Sequence, residues 1–166
     1  MANERDDLVT TLDKHRGFLR HTVRGLSDEQ AAQRATLSEL CLGGVIKHVA
    51  AVEEQWARFV VEGPSAFAPM DAAAYEAHAA TFRMAPHETL ASIVARYDAV
   101  AASTDDLVCT LPSLDIDHPL PEAPWFEQGA RWSARRAFLH ILAETAQHAG
   151  HADILREAID GQKTMG

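Results

Sequence analysis

The chain has 166 residues, 47% of them hydrophobic and 23% charged, enough to bury the core of one domain spanning residues 1–166. Its longest uncharged apolar run falls far short of the ~20 residues that a membrane span requires, so a spanning helix is excluded. Twenty-four acidic against fifteen basic residues leave a net charge of −9, which repels a polyphosphate backbone and argues against nucleic acid as a partner.

Leu8, Leu12, Leu19, Val23 and Leu26 recur near the 3.6-residue period and predict an amphipathic helix over residues 4–24, with Gly25 helping to end it. Ser27-Asp28-Glu29-Gln30 has the form of a capping box, so a short helix is expected from just after Ser27 to Ala35. The stripe Val45, Val49, Val52, Trp56 and Phe59 predicts a second long helix from Leu40 to Glu62, stopped by Gly63-Pro64. Between Pro64 and Pro86, with Pro69 inside, the Ala-rich piece from Asp71 to Phe82 reads equally as a short helix or an ordered loop. Pro86 suits the first turn of a third long helix, His87 to Leu111, which carries Leu90, Ile93, Val94, Tyr97, Val100, Ala101 and Leu107.

Residues 112–131 hold Pro112, Pro119, Pro121, Pro124 and Gly129 without any period, a long connection of the kind that often shapes a site. Ser133 is placed to cap a last helix that runs to Asp160 and closes at Gly161. No segment shows sustained period-two alternation of β-branched residues, and no internal repeat or low-complexity tract is visible. The expected fold is all-α: a four-helix bundle with at least one long crossover connection. The N-terminal stretch Met1-Ala-Asn-Glu-Arg-Asp-Asp7 is acidic where a secretory signal is basic and then apolar, so the expected location is the cytoplasm. There the only two cysteines, Cys41 and Cys109, stay as thiols and read as small core residues.

Nine histidines are the unusual feature of the composition, because each is a candidate metal ligand or acid-base group. With His140 as angular zero, Glu144 lies at about 40°, His148 at about 80° and His151 at about 20°, so four potential ligands share one stripe of the last helix. Glu144 and His148, at i and i+4, can converge on one ion. A third ligand must come from another helix, and His48 is the candidate because it sits in an apolar stripe between Val45 and Val52, where an imidazole needs a polar partner. The spacing also fits a blander arrangement, a hydrogen-bonded core histidine and an ordinary Glu-His surface pair. Three such ligands leave one coordination position open, as in catalytic zinc sites. His140 and His151 are expected behind the ligands or lining the pocket, and His15, in the stripe of the first helix, is a further neighbour. His21, His78, His87 and His118 have no such company and read as solvated.

Other catalytic patterns fail. His87-Glu88 begins the zincin sequence H-E-x-x-H, but Ala91 stands where its second histidine belongs. The chain has no Glu-x-x-His for a di-iron bundle, no G-x-S-x-G, no phosphate-binding P-loop and no G-x-G-x-x-G.

Gly25-Leu-Ser-Asp-Glu-Gln-Ala31, Leu42-Gly-Gly-Val-Ile-Lys-His48-Val-Ala-Ala-Val-Glu53, and above all Arg131-Trp132 followed by His140-Ile-Leu-Ala-Glu144-Thr-Ala-Gln-His148-Ala-Gly-His151-Ala-Asp-Ile-Leu-Arg156-Glu157, resemble the DinB/YfiT-like superfamily and within it the DUF664 group. The resemblance spans nearly the whole chain. It implies a four-helix bundle that holds a divalent metal, zinc or nickel, by three side chains near one end. The superfamily's usual set is one histidine from the second helix and a His-x-x-x-His pair from the last, and Glu144 departs from it. That departure is shared with the related mycothiol-dependent maleylpyruvate isomerases, whose His, Glu, His pattern falls here on His48, Glu144 and His148. Those isomerases carry a further C-terminal domain that contributes to catalysis, and with this chain ending at Gly166 isomerisation is not the expected reaction.

For the wider superfamily the implied chemistry is transfer of a low-molecular-weight thiol, such as mycothiol or bacillithiol, to an electrophile. Zinc is the expected metal and a mycothiol-like thiol the expected co-substrate. A thiol bound to a metal is deprotonated and nucleophilic, so the protein need not supply the nucleophile. With Glu144 engaged as a ligand, His140 or His151 is the nearer proton acceptor. Two functions follow: a metal-dependent thiol S-transferase in detoxification or stress response, or a non-catalytic metal-binding bundle, dimeric or not, whose ion only fixes the core.

Overall fold

The computed structural model describes residues 3–67 and 71–164, so Pro69 lies outside the described residues. Helix α1 (Glu4–His21) begins where the Asn3 side chain accepts the N–H groups of Arg5 and Asp6, and it buries Leu8, Leu12, Arg16 and Leu19. It stops three residues before the expected end, in a turn that Gly25 completes at φ 76°. Helix α2 (Asp28–Ala32) carries the expected capping box: Ser27 and Gln30 bond each other's backbone N–H reciprocally. Helix α3 (Leu42–Glu62) ends at Gly63, whose φ of 67° favours glycine, and passes into a 3₁₀ turn (Gly63–Ala66).

The segment that reads both ways in the sequence is a helix. Helix α4 (Ala72–Thr81) is capped by Asp71 and buries no residue. Helix α5 (Leu90–Thr110) starts three residues later than expected, because Thr89 and Ser92 form their own capping box while Pro86 lies in the preceding turn. Helix α6 (Ala134–Asp160) has Ser133 as its N-cap and Gly161, φ 77°, just past its end.

The all-α reading holds, with one small ribbon added to the helices. Strand β1 (Asp117–Pro119) pairs antiparallel with β2 (Arg131–Ser133), in the register Asp117↔Ser133, His118↔Trp132, Pro119↔Arg131. Three-residue strands are too short for alternation to register in the sequence, and pairing across the loop creates them. The ribbon pins the long 111–133 connection and directs Trp132 onto Trp56, the two rings stacked 4.7 Å apart.

The bundle core has two apolar halves. One gathers Leu19, Leu42, Val45, Ile46, Val49, Tyr97, Ala152 and Leu155; the other gathers Leu12, Trp56, Phe59, Val108, Phe138 and Ile141. Following each helix from one half to the other gives its direction. α1 and α6 run one way, α3 and α5 the other, so the joint between α3 and α5 is the long crossover and contains the 3₁₀ turn and α4.

Between the halves lies a polar layer that the apolar pattern does not announce. Arg16, fully buried on α1, donates to both carboxylate oxygens of the equally buried Glu53 on α3, at 2.5 and 3.4 Å, and to Asp105 on α5 at 2.8 Å. Burial works against the guanidinium charge, but Glu53 and Asp105 more than offset it and raise the Arg16 pKa. Thr104 and Thr145 complete this layer by donating to carbonyls of their own helices.

Cys41 is buried at the start of α3, its thiol 3.7 Å from the Phe82 carbonyl. Cys109 is exposed, against expectation, since it follows Val108 and lies about 100° from the buried stripe of α5.

Candidate metal centre

Helices α3 and α6 pack against each other, and their facing sides carry the histidines. His48 is 3% exposed and His148 9%, both within the buried faces of their helices, while Glu144 is half-buried one turn before His148. One donor atom from each of His48, Glu144 and His148 lies within 4.8 Å of the other two. Within that set the Glu144 Oε2 atom is 3.6 Å from Nε2 of His148, and the His48 and His148 rings meet edge to face at 4.9 Å. Two imidazole nitrogens and a carboxylate oxygen are the donor set of a catalytic His₂Glu zinc site, so the residues present fit a divalent ion.

Burial keeps these rings neutral and their lone pairs free for a cation. His48 is pushed down to about 3, first by burial and then by the neighbouring His148 and His78 rings. His148 is lowered by burial against the opposing pull of Glu144. His140 is likewise lowered, burial outweighing Glu144.

The remaining histidines separate. His140 sits one turn before Glu144, with Nε2 3.8 Å from Oε1, and its ring packs edge-on against Trp56 and Trp132. His151 lies on the other side of His148, the two Nδ1 atoms 3.4 Å apart. The structure does not bring His15 to this group: it flanks the buried face of α1, half-buried, with its ring against Phe18 at 5.8 Å. Arg16 takes the inward position instead, because α1 turns its 8-12-16-19 stripe to the core.

Of the histidines that read as solvated, His78 is exposed as expected, though its ring lies against His48, whereas His118 is partly buried. His118, in β1, is half-buried, its Nε2 3.2 Å from the Val60 carbonyl. His78, on α4, lies edge-on to His48 with ring centroids 5.2 Å apart.

The crossover supplies what the last helix lacks. Thr81, the final residue of α4, meets Nδ1 of His48 at 2.9 Å, and Phe82 stacks on the His48 ring at 3.9 Å and 21°. This approach requires Gly43 and Gly44, since a Cβ at Gly44 would fall on the Phe82 carbonyl and one at Gly43 on the Met84 thioether. Gly43-Gly44 is the seat of the crossover on α3.

His48, Glu144 and His140 open into a cavity of about 730 Å³ between α3, α4 and the 120–126 loop. Trp56, Phe67 and Phe126 line its wall, and the half-exposed Tyr75 and Trp125 stand at its rim. A smaller cavity, about 440 Å³ within residues 120–129, contains no histidine and no basic side chain. Neither cysteine lines the larger cavity. His78, Thr81, Phe82 and Tyr75 are site residues that no spacing in the sequence reveals, because α4 has no apolar stripe to orient it.

Comparisons with known proteins supply the family and the fold. The sequence model of the mycothiol-S-transferase family matches residues 7–161. The chain belongs to that family, part of the DinB/YfiT-like group. A solved structure described as a conserved protein of a locus from Enterococcus faecalis superposes with a TM-score of 0.68, covering 98% of this chain and 100% of its own, at 13% identity. That likeness establishes the shared fold. Among curated proteins none matches the chain. No helix among the described residues is long and apolar enough to cross a membrane.

Proposed function

We propose that the chain is a divalent-metal-dependent transferase that moves a mycothiol-like thiol onto an electrophile, with His48, Glu144 and His148 as the metal ligands. The observation that carries this reading is the convergence of three donor atoms, within 4.8 Å of one another, two of them on residues (His48 and Glu144) that line a cavity large enough for small-molecule substrates. A divalent ion there, zinc in the first instance and nickel as the other candidate, supplies the positive charge that favours a thiolate over a thiol at neutral pH. Three protein ligands and an adjoining cavity suit a catalytic site better than a closed structural one, which favours the transferase over the metal-fixed, non-catalytic bundle.

The chain's own residues then have distinct tasks. His48 and His148 donate neutral nitrogens, and Glu144 brings the charge that balances the cation. His140 lines the cavity beside Glu144, is kept neutral by burial, and is placed to take the thiol proton. His151 lies behind His148 and steadies that ring rather than receiving the proton. In the transfer a sulfur–carbon bond forms at the electrophile while its leaving group departs with the bonding pair, and the thiol proton goes to His140. The wall of Trp56, Phe67 and Phe126 suits an electrophile with a flat apolar body.

Protein loaded with zinc, mycothiol and monochlorobimane provides the test, followed by adduct fluorescence. The Cys41→Ala/Cys109→Ala double variant should keep its activity and His148→Ala should lose it together with zinc binding. The reverse result would assign the nucleophile to the protein and reject the mechanism; wild-type protein that binds no zinc would reject the metal centre.

A further inference from the structure

The contact between α4 and His48 bears on how the candidate centre is prepared for a cation. Thr81 Oγ1 lies 2.6 Å from the His78 carbonyl oxygen and 2.9 Å from Nδ1 of His48. A carbonyl can only accept, and a threonine hydroxyl has a single proton, so at 2.6 Å that proton is committed to His78. What Oγ1 then offers to His48 is lone pairs alone. The 2.9 Å contact is a hydrogen bond only if Nδ1 of His48 carries the ring proton, which leaves Nε2 bare. A bare Nε2 is the donor a metal needs.

We propose that Thr81 is a positioning residue for the metal centre: with its own proton held by the last turn of α4, its hydroxyl locks His48 in the Nδ1–H tautomer and keeps Nε2 free for the ion. The surroundings leave the ring few alternatives. Phe82, next in the chain, covers one face of the imidazole, and His148 and His78 meet it edge-on. Turning the ring over about its Cβ–Cγ bond would put a carbon, Cδ2, where Nδ1 now meets Thr81 and so break that bond. Because Thr81 belongs to a crossover helix that buries nothing of its own, the tautomer of a ligand on α3 depends on where α4 docks. The inference rests on the proposed metal site only for its consequence; the tautomer is a property of the metal-free chain.

Long-range ¹H–¹⁵N correlation spectra of the metal-free, full-length protein near pH 7 read the tautomer directly. His48 should show a protonated Nδ1 and an unprotonated Nε2. Thr81→Val keeps the shape but removes both hydrogen bonds; it should shift the His48 signals towards the other tautomer and weaken zinc binding, measured by chelator competition, about 10- to 100-fold. Thr81→Ser, which restores the hydroxyl, should recover both signals and affinity. An Nε2–H tautomer in the wild-type protein would overturn the proposal even if Thr81→Val failed to fold. So would a folded Thr81→Val with wild-type spectra and affinity, or a Thr81→Ser variant that rescued nothing. Wild-type protein that binds no zinc yet shows the Nδ1–H tautomer would reject the metal reading and leave the tautomer assignment standing.

Discussion

Replacing Gly44 with alanine tests whether the crossover is seated on α3 as described. The added methyl would land on the Phe82 carbonyl, far inside van der Waals separation, and 2.8 Å from the Arg83 nitrogen. Both obstacles are backbone and cannot rotate away, so the 82–83 segment must retreat by more than about 1 Å to restore ordinary contact. A shift of that size strains the Phe82–His48 stack and takes the 2.9 Å Thr81–His48 bond out of hydrogen-bond range. Forced repacking costs about 1–3 kcal/mol and the lost hydrogen bond about 1 kcal/mol. The gain in helix propensity from glycine to alanine offsets roughly 0.5–1 kcal/mol of this. The net loss should be on the order of 1–3 kcal/mol, a fall in Tm of about 2–4 °C for each kcal/mol in a chain of this size.

Gly150→Ala is the internal control: it lies within α6 with nothing within 4 Å of the new methyl and should stabilise by about 0.5–1 kcal/mol. Urea unfolding of the metal-free variants measures both. Zinc affinity should fall in Gly44→Ala and stay unchanged in Gly150→Ala. If Gly44→Ala stabilised the protein as Gly150→Ala does, the close approach of the crossover to α3 would be refuted.

The polar layer gives a second prediction. Arg16→Met leaves Glu53 buried without its partner and should cost about 3–5 kcal/mol in urea unfolding, whereas Arg16→Met/Glu53→Met should cost less than either the sum of the single changes or Arg16→Met alone; additive losses would show that the pair is not coupled. The third concerns pH. The His48 pKa of about 3 in the folded chain lies below its ordinary value of 6.5, so between those values the unfolded chain takes up a proton that the folded ring refuses. This contribution is therefore fully present above pH 6.5 and is lost as pH falls towards 3, with the lowered His140 and His148 acting in the same direction. Thermal melts of metal-free protein between pH 7 and 4 should show Tm falling with pH, less steeply in His48→Gln; equal slopes would place the acid sensitivity elsewhere.

The helices and most of the candidate His/Glu/His cluster are legible in the sequence because both are written in local periodicity. Leu8, Leu12 and Leu19 mark one face of α1, and His140, Glu144, His148 and His151 mark one stripe of α6, since residues three and four apart share a side of any helix. His48 stands out for a related reason, a polar ring inside an apolar stripe. Periodicity within one helix is silent about which neighbour a face will meet, and there the folded chain adds what spacing omits. Arg16 and Glu53, thirty-seven residues apart, are unremarkable charges until α1 and α3 bury them against each other. The Thr81, Phe82 and His78 side chains acquire a role only because α3 and α5 run the same way, forcing the intervening chain to cross back over His48. Where that crossover lands is settled by two missing side chains: Gly44 lets the Phe82–Arg83 backbone meet α3, and Gly43 leaves room for the Met84 thioether beside it.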